Sequence, residues 1–348
     1  MDRVTSLSTR GGQDDPELAK VVPETRETVA RLLGASAEEI ALVGPTSMAL
    51  SLVASSLPLR KGDNVVIYQD DFPSNVYPWL AWADRGVEVR FLNVRKWGEI
   101  RSVEVLGQVD ENTRVVALST GHFLTGHRID LEVIGAGLSK RGVLFGVDAI
   151  QTAGAFPLSA RWFDFAAVGA HKWLLGPCGP GFLYIAKSLS ERLGPQVYGW
   201  HNVKHDHFAS RDQIEFRSGG RRFEVGTSNL AGLAGMRAGI ELLLEYGIKS
   251  IGAALCSHRN YLADRLKESG WELVNFPCAD SQATGILSFG RTGLQMRGVA
   301  DTLRTEGIEI SFRMDRMGRG YLRVAPHFYT TREDLDRFLA ALAKISGS

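Results

Sequence analysis

Short apolar runs and amphipathic helical segments alternate along the first half of this 348-residue chain. In order, they are a strand at 64–68, a helix at 74–84, strands at 87–92 and 115–119, a helix at 130–140 and a strand at 143–147. Alternation of this kind favours a mainly parallel sheet with helices on both faces. We therefore expect an α/β fold.

The C-terminal third of the chain follows a different pattern. Long helical segments at 231–246 and 250–269 precede strands at 271–275, 284–289, 308–312 and 320–325 and helices at 296–306 and 331–345. This order predicts a small α+β domain packed against the large one. We place the large α/β domain at residues 1–230, and the connecting helix and small domain at 231–348.

Composition excludes several classes of protein. Acidic and basic residues nearly cancel, at a formal net charge of +1, so no nucleic-acid or membrane partner is expected from charge. No apolar run approaches the roughly 20 residues of a membrane span, and the polar amino terminus has no hydrophobic signal core. Three widely spaced cysteines form neither a disulfide framework nor a zinc motif. We expect a cytoplasmic enzyme.

Residues 147–181 hold the pattern that points to chemistry. Asp148 ends an apolar run, Gln151 follows three residues later, and Lys172 comes after a second apolar run at 163–168. Desolvation favours the neutral amine, which makes Lys172 a candidate nucleophile toward a carbonyl carbon. Pyridoxal 5'-phosphate (PLP) chemistry needs a lysine for the Schiff base and a carboxylate for the pyridine nitrogen. The simpler alternative is a turn-capping Asp148 and a solvent-exposed Lys172.

Four segments together resemble the class-V aminotransferase and cysteine desulfurase family of fold-type I PLP-dependent enzymes. They are Val-Asp-Ala-Ile-Gln at 147–151, Gly-Ala-His-Lys at 169–172, Gly-Pro-Cys-Gly-Pro-Gly at 176–181 and Arg-Phe-Glu-Val-Gly-Thr at 222–227. The resemblance implies a mainly parallel sheet of seven strands, a smaller C-terminal α+β domain and PLP bound through Lys172. It also implies an amino-acid substrate, a 2-oxo acid as a second substrate, and a homodimer with shared active sites.

A phosphate site is expected at the junction between a predicted strand and the helix that follows it. Thr46 and Ser47 lie at such a helix start, where free N–H groups and hydroxyls can bind an anion, although either residue could be only a helix cap. The resemblance adds His171 to this phosphate site and assigns Thr227 to the phosphate of the neighbouring subunit. Gly169 replaces a serine found in many relatives, so one phosphate hydrogen bond is expected to be missing or supplied by water.

The resemblance also assigns residues around the cofactor ring. Phe72 corresponds to the residue that stacks on the pyridine face, although most phenylalanines simply fill a core. Asp148 is assigned to the pyridine nitrogen, where its charge keeps the ring an electron sink. Gln151 is assigned to the phenolic oxygen, against the alternative of a surface glutamine.

Candidate substrate residues are mostly arginines, because a carboxylate suits a planar bidentate donor. Arg323 matches the small-domain arginine that binds the substrate carboxylate in relatives, and Arg313 and Arg222 are secondary candidates. His122 lies in a loop after a predicted strand, where it could contact substrate or cofactor or serve as a structural histidine.

Two further features bear on the limits of the resemblance. His201, His205 and His207 lie in a polar loop without an acidic or cysteine partner at ligand spacing, so no metal site is predicted. The aspartate-asparagine-alanine turn that usually precedes the first long helix in the family has no counterpart here. We therefore expect a chain that is short or cut at its start.

The reaction stays open within the family. The segment 312–320 contains no cysteine, whereas a desulfurase carries its nucleophilic cysteine in the corresponding loop, and neither Cys178 nor Cys278 matches that position. Persulfide-forming desulfuration is therefore disfavoured. Transamination is the leading interpretation, with epimerisation and β-elimination or C–S cleavage as alternatives. A catalytically degenerate family member and a nicotinamide-dependent dehydrogenase are the competing hypotheses; the second lacks its Gly-x-Gly-x-x-Gly motif.

Overall fold

The computed structural model describes residues 6, 9, 15–205, 207 and 209–346. From residue 15 onward, the α-helices are α1 (Pro16–Leu33), α2 (Thr46–Ser56), α3 (Tyr77–Leu80), α4 (Ser102–Gly107), α5 (Leu131–Ser139), α6 (Lys187–Ser190), α7 (Leu230–Tyr246), α8 (Ile248–Glu268), α9 (Met296–Thr305) and α10 (Arg332–Ser346). None of these described helices is long and apolar enough to cross a lipid bilayer.

A seven-stranded sheet forms the centre of the large part of the chain. Its strands are β1 (Ile40–Val43), β2 (Asn64–Ile67), β3 (Glu88–Phe91), β4 (Thr113–Ser119), β5 (Leu144–Asp148), β6 (Phe165–Gly169) and β7 (Gly181–Ile185), in the spatial order β1-β7-β6-β5-β4-β2-β3. Strand β7 runs antiparallel to both of its neighbours, and the other pairs are parallel. The predicted α/β fold with a mainly parallel seven-stranded sheet is confirmed.

Helices cover both faces of this sheet. Helices α1, α5 and α7 contribute to the core on one face, and α2 and α3 contribute to the core on the other. The central strands β5 and β6 are buried on both sides, apart from the half-buried Leu144 at the start of β5. Strands of this kind read as continuous apolar runs, which is why the sequence predicts them well.

A second, antiparallel sheet lies in the C-terminal part. It has the order β10-β11-β9-β8, built from β8 (Glu272–Leu273), β9 (Leu287–Gly290), β10 (Ser311–Met314) and β11 (Gly320–Val324). Helix α8 joins the two parts, because Leu255 packs in the core of the large sheet and Leu262 in the core of the small one. The proposed division after residue 230 stays a prediction.

Several elements differ from the sequence predictions. The helix predicted at 74–84 is broken into a 3-10 turn at Pro73–Asn75, the single turn α3 and a second 3-10 turn at Ala83–Arg85. Pro78 falls in α3 near its start, where proline is tolerated, but it cannot continue a helix begun earlier. Helix α4 was not predicted. The strand predicted at 308–312 lies later, as β10, because Ile308 and Ile310 pack on the small core from a loop.

A buried ion pair ties the amino-terminal helix to the sheet edge. Arg26 of α1 donates two hydrogen bonds to Glu224, at 2.6 and 3.0 Å, and also bonds the carbonyl of Ile40. Glu224 accepts a further bond from the N–H of Leu42 at 2.7 Å. Both charged side chains are at most 10% exposed. Removing one partner would leave the other charge buried and unpaired, which is costly.

We predict that Glu224→Gln lowers the free energy of unfolding by about 3 kcal/mol, because Arg26 keeps its charge inside the protein without a compensating carboxylate. Chemical denaturation of the purified protein measures this change. The matched control is Glu215→Gln, whose partner Lys204 is on the surface and whose loss should cost about 0–1 kcal/mol. Equal destabilisation by the two variants would contradict the role of the buried pair.

Candidate active site

The carboxyl ends of the parallel strands bring the predicted residues together. Asp148 is the last residue of β5 and pairs in register with Ser119, the last residue of β4. Its side chain is 1% exposed, and Oδ1 accepts a hydrogen bond from the N–H of Ile150 at 3.0 Å. Burial is the main reason why the pKa of Asp148 is raised to about 7; the nearby Asp71 contributes to the rise, and the Ile150 N–H and Lys172 oppose it.

Lys172 lies in the turn that follows β6. Backbone hydrogen bonds from Ala170 to Pro180 and from Gly176 to Ala170 hold this turn, in which Leu175 has a positive φ of 56°. Burial lowers the pKa of Lys172 to about 8; Asp148 opposes that shift, and nearby arginines add to it. An amine with such a pKa is a usable nucleophile and base near neutral pH.

Two aromatic side chains, Phe72 and Phe123, lie near the Lys172 amine. Lys172 Nζ lies 5.5 Å from the centre of the Phe72 ring, which packs edge-on against Phe123 at 5.4 Å. The Phe72 ring is 41% exposed. A half-exposed ring beside the reactive amine offers a face for a flat ligand, as the stacking prediction requires, and its stacking role stays a prediction.

Asp71 was not predicted as part of the site, although it directly precedes Phe72 in the sequence. Its carboxylate is 6% exposed. It accepts bonds from the N–H and hydroxyl of Ser119 at 2.8 and 2.5 Å, from the N–H of Phe72 at 2.8 Å and from the Asn75 amide at 3.1 Å. Asp71 therefore fixes Phe72 relative to the strand ends. Its place in the loop that follows β2 was the available signal.

The buried polar atoms without a partner among the described residues include Thr46 Oγ1 and Gln151 Nε2. Thr46 is the first residue of α2. A Cβ added at Gly169 would lie 3.2 Å from Thr46 Oγ1 and 3.3 Å from His171 Nδ1, so these two side chains flank a space that the glycine leaves open. Unpartnered buried polar atoms are rare, and these fit the predicted contacts to a phosphate and to a phenolic oxygen.

Two other predicted phosphate residues are exposed. The Ser47 hydroxyl pairs with that of Ser74 at 2.6 Å. Thr227 does not line the cavity that contains Lys172 but a second cavity of about 670 Å³, together with Gly44 and Met48. A role of Thr227 toward a neighbouring subunit stays a prediction.

Arg323 and Arg313 lie on one face of the small sheet. Register pairs Ser311 with Arg323 and Arg313 with Tyr321, so all four side chains share that face. Arg323 donates from Nη1 to the carbonyl of Phe123 at 2.9 Å, while its buried Nε has no partner among the described residues. Burial, followed by the charge of Arg313, lowers the pKa of Arg323 to about 10.

A cavity of about 420 Å³ joins these groups. Its lining includes Lys172, Gln151, Trp173, Arg323 and His327. The cavity therefore brings the predicted Schiff-base lysine and the predicted carboxylate arginine into one space, with an apolar wall from the small domain. Trp173 and His327 were not predicted as site residues.

Two predicted substrate residues are corrected by the structure. Arg222 donates hydrogen bonds to the carbonyls of Ser190, Leu193 and Arg217. It therefore stabilises the end of α6 and does not line the cavity that contains Lys172. His122 is 3% exposed; Nε2 bonds the carbonyl of Asp70 at 2.9 Å and Nδ1 accepts from the N–H of Thr125 at 3.0 Å. Both ring nitrogens are used within the protein, which makes His122 structural.

The histidine-rich loop shows no metal-like grouping in the described residues, where no cluster of three or more potential ligands occurs. His201 Nδ1 lies 3.8 Å from Glu224, and His205 lies near the Trp200 ring. Residues 206 and 208, beside His207, are outside the described part.

Comparisons with known proteins agree with this arrangement. A family model for aminotransferase class-V matches residues 7–338. A probable cysteine desulfurase of Methanothermobacter thermautotrophicus is 32% identical over 341 residues, covering 93% of this chain and 83% of the relative. The apo structure of a cysteine desulfurase from Thermococcus onnurineus NA1 is 25% identical, with a TM-score of 0.89 and coverage of 97% of this chain and 86% of that one.

A structure of C-DES with glycine covalently linked to its PLP cofactor has a TM-score of 0.88, at 23% identity and coverage of 98% and 92%; this last match shows the fold. The resemblance inferred from the four sequence segments is therefore confirmed. The chain belongs to the class-V aminotransferase family of PLP-dependent enzymes.

Proposed function

We propose that this enzyme is a lyase that releases a sulfur leaving group from the β-carbon of a small amino acid, without a protein persulfide. The observation that carries this proposal is the turn between β10 and β11. It contains no cysteine, and Arg316 instead bonds Asp70 at 2.7 Å and the carbonyl of Gln69 at 2.8 Å. The identity to probable cysteine desulfurases supports a sulfur-containing amino acid as substrate.

The residues present fit PLP. Asp148 would hold the pyridine nitrogen and Phe72 would cover one ring face. The unpartnered Thr46 Oγ1 would bind the phosphate, and the unpartnered Gln151 Nε2 would bind the phenolic oxygen. Lys172 would hold the aldehyde. When bound, PLP supplies an electron sink for negative charge at the substrate α-carbon.

Lys172 then moves the proton. Because burial lowers its pKa to about 8, a substantial fraction of Nζ is neutral near that pH and can accept the α-proton of the substrate. The C–S bond breaks with its electron pair leaving on sulfur. With cysteine and one water, the products are pyruvate, ammonia and hydrogen sulfide, which balances all atoms.

Arg323 binds the substrate carboxylate. Its contact with the Phe123 carbonyl fixes the guanidinium plane, and its free Nε leaves a donor for an oxygen acceptor. Its lowered pKa reflects burial without a nearby acid, so a substrate carboxylate would supply the missing counter-charge.

Transamination, the leading interpretation from sequence, is the second candidate. It uses the same lysine and arginine, and the matching family model carries that name. It differs in its products, because a transaminase yields a 2-oxo acid without releasing ammonia. It also stops after one turnover unless a second 2-oxo acid is supplied. A homodimer with shared sites and a cytoplasmic location stay predictions.

Incubating the holoenzyme with L-cysteine and L-cystine, without any 2-oxo acid, should release pyruvate and ammonia in equal amounts over many turnovers. Mass spectrometry and an ammonia assay measure both products. Lys172→Ala is the control and should release neither. Alanine as the product would indicate desulfuration, and a single turnover that resumes on adding a 2-oxo acid would indicate transamination; either result contradicts the lyase proposal.

Arg323→Gln should raise KM about 10- to 100-fold with a smaller change in kcat, since a charge-assisted contact to the substrate is lost. Steady-state kinetics measure the effect. Arg319→Gln is the matched control, because Arg319 lies in the adjacent turn and pairs with Glu272. An unchanged KM in Arg323→Gln would remove the assignment and leave Arg313 as the candidate.

Asp148→Asn should stop turnover but stabilise the cofactor-free protein at pH 8, by on the order of 2–4 kcal/mol. Its folded pKa of about 7 lies above the value in an unfolded chain, so the wild type loses stability as the pH rises from about 4 to 7. The Asp148→Asn variant has no carboxyl group at this position, so it does not lose this stability as the pH rises. Thermal melts of both proteins at pH 4 and pH 8 measure it, and parallel pH dependences would disprove the assigned burial cost.

A further inference from the structure

The Gln151 side-chain amide can both accept and donate hydrogen bonds, but only its oxygen has a partner among the described residues. Its Oε1 accepts a hydrogen bond from the indole N–H of Trp173 at 3.2 Å, while its Nε2 is buried without any partner among the described residues. Gln151 and Trp173 are 3% and 4% exposed. An indole nitrogen can only donate, so this contact decides which end of the amide is Oε1. The N–H₂ group is therefore the end left without a partner, in a residue that lines the cavity.

His327 holds the same indole from the small domain. The His327 ring centre lies 5.2 Å from that of Trp173, and the Tyr329 ring stacks on His327 at 4.9 Å with an interplanar angle of 13°. His327 Nδ1 accepts from the N–H of Phe328 at 3.0 Å, which fixes the ring orientation. Its Nε2 is directed toward the Trp173 backbone without completing a hydrogen bond.

These contacts form one series across the cavity: His327 packs on Trp173, and Trp173 orients Gln151. We propose that Trp173, supported by His327, is a positioning residue that keeps the Gln151 amide turned so that its N–H₂ group is presented to the phenolic oxygen of PLP. Without the indole donor, the phenolic oxygen alone favours this amide orientation, and Oε1 turns toward that oxygen for a larger fraction of the time. Trp173 thereby acts on the cofactor through Gln151 and not by contact of its own.

The orientation of the Gln151 amide affects the negative charge on the phenolic oxygen of PLP. An N–H donor stabilises negative charge on the phenolic oxygen, whereas a carbonyl oxygen in its place repels that charge. The bound cofactor should therefore titrate at a higher pH when the amide is free to turn. This inference rests on PLP dependence and on the place of Gln151, not on which substrate bond breaks, so the lyase proposal can fail without it.

The test is a pH titration of the visible absorption band of the holoenzyme. Trp173→Phe keeps an aromatic ring but removes the donor, and should raise the midpoint by about half to one pH unit, the size of one neutral hydrogen bond. In a Gln151→Ala background, the same substitution should move the midpoint by less than about 0.3 unit. This dependence on Gln151 separates positioning from general damage to the fold.

His327 provides a second variant pair, which leaves Trp173 in place. His327→Ala should shift the midpoint in the same direction by a smaller amount, and His327→Phe should restore it by restoring the packing. Trp97→Phe is the control, since Trp97 stacks on Tyr321 and lies outside the series from His327 to Gln151, and should leave the midpoint unchanged. Equal shifts with and without Gln151, or no shift in any Trp173 or His327 variant, would overturn the proposal.

Discussion

The structure depends on burying two opposite charges at the carboxyl ends of adjacent parallel strands. Burial raises the pKa of Asp148 to about 7 and lowers that of Lys172 to about 8, so desolvation pushes both groups toward their neutral forms. Their mutual attraction offsets only part of that cost. A fold with no use for these groups would expose or replace them. Here the cost is the source of reactivity, because it yields an amine that is partly neutral at physiological pH.

The small domain completes the site through contacts that fix its position. Arg323 bonds the Phe123 carbonyl at 2.9 Å, Ser288 bonds the Leu124 carbonyl at 2.5 Å, and Trp97 stacks on Tyr321. All three join the second sheet to loops around the ends of the parallel strands. The carboxylate-binding arginine is therefore held relative to Lys172 by several independent contacts, as precise substrate placement requires.

The secondary-structure elements and the site residues that belong to a sequence motif could be predicted from the sequence. Buried strands such as β6 appear as apolar runs, and Lys172 and Asp148 stand out because charges rarely follow such runs. Prediction failed where a partner distant in sequence decides the role. His122 and Arg222 have the right chemistry for a substrate, but backbone carbonyls elsewhere in the fold occupy them. Trp173 looks like core until its indole is seen to bond Gln151.

Every role assigned to the site requires the covalent attachment of PLP to one amine, and borohydride reduction tests that attachment most directly. Borohydride treatment of the holoenzyme, followed by proteolysis and peptide mass spectrometry, locates the reduced adduct. We predict a single phosphopyridoxyl group on Lys172, together with loss of the visible band and of activity. An adduct on another lysine, or a protein that keeps its band and activity with Lys172 unmodified, would contradict the central claim.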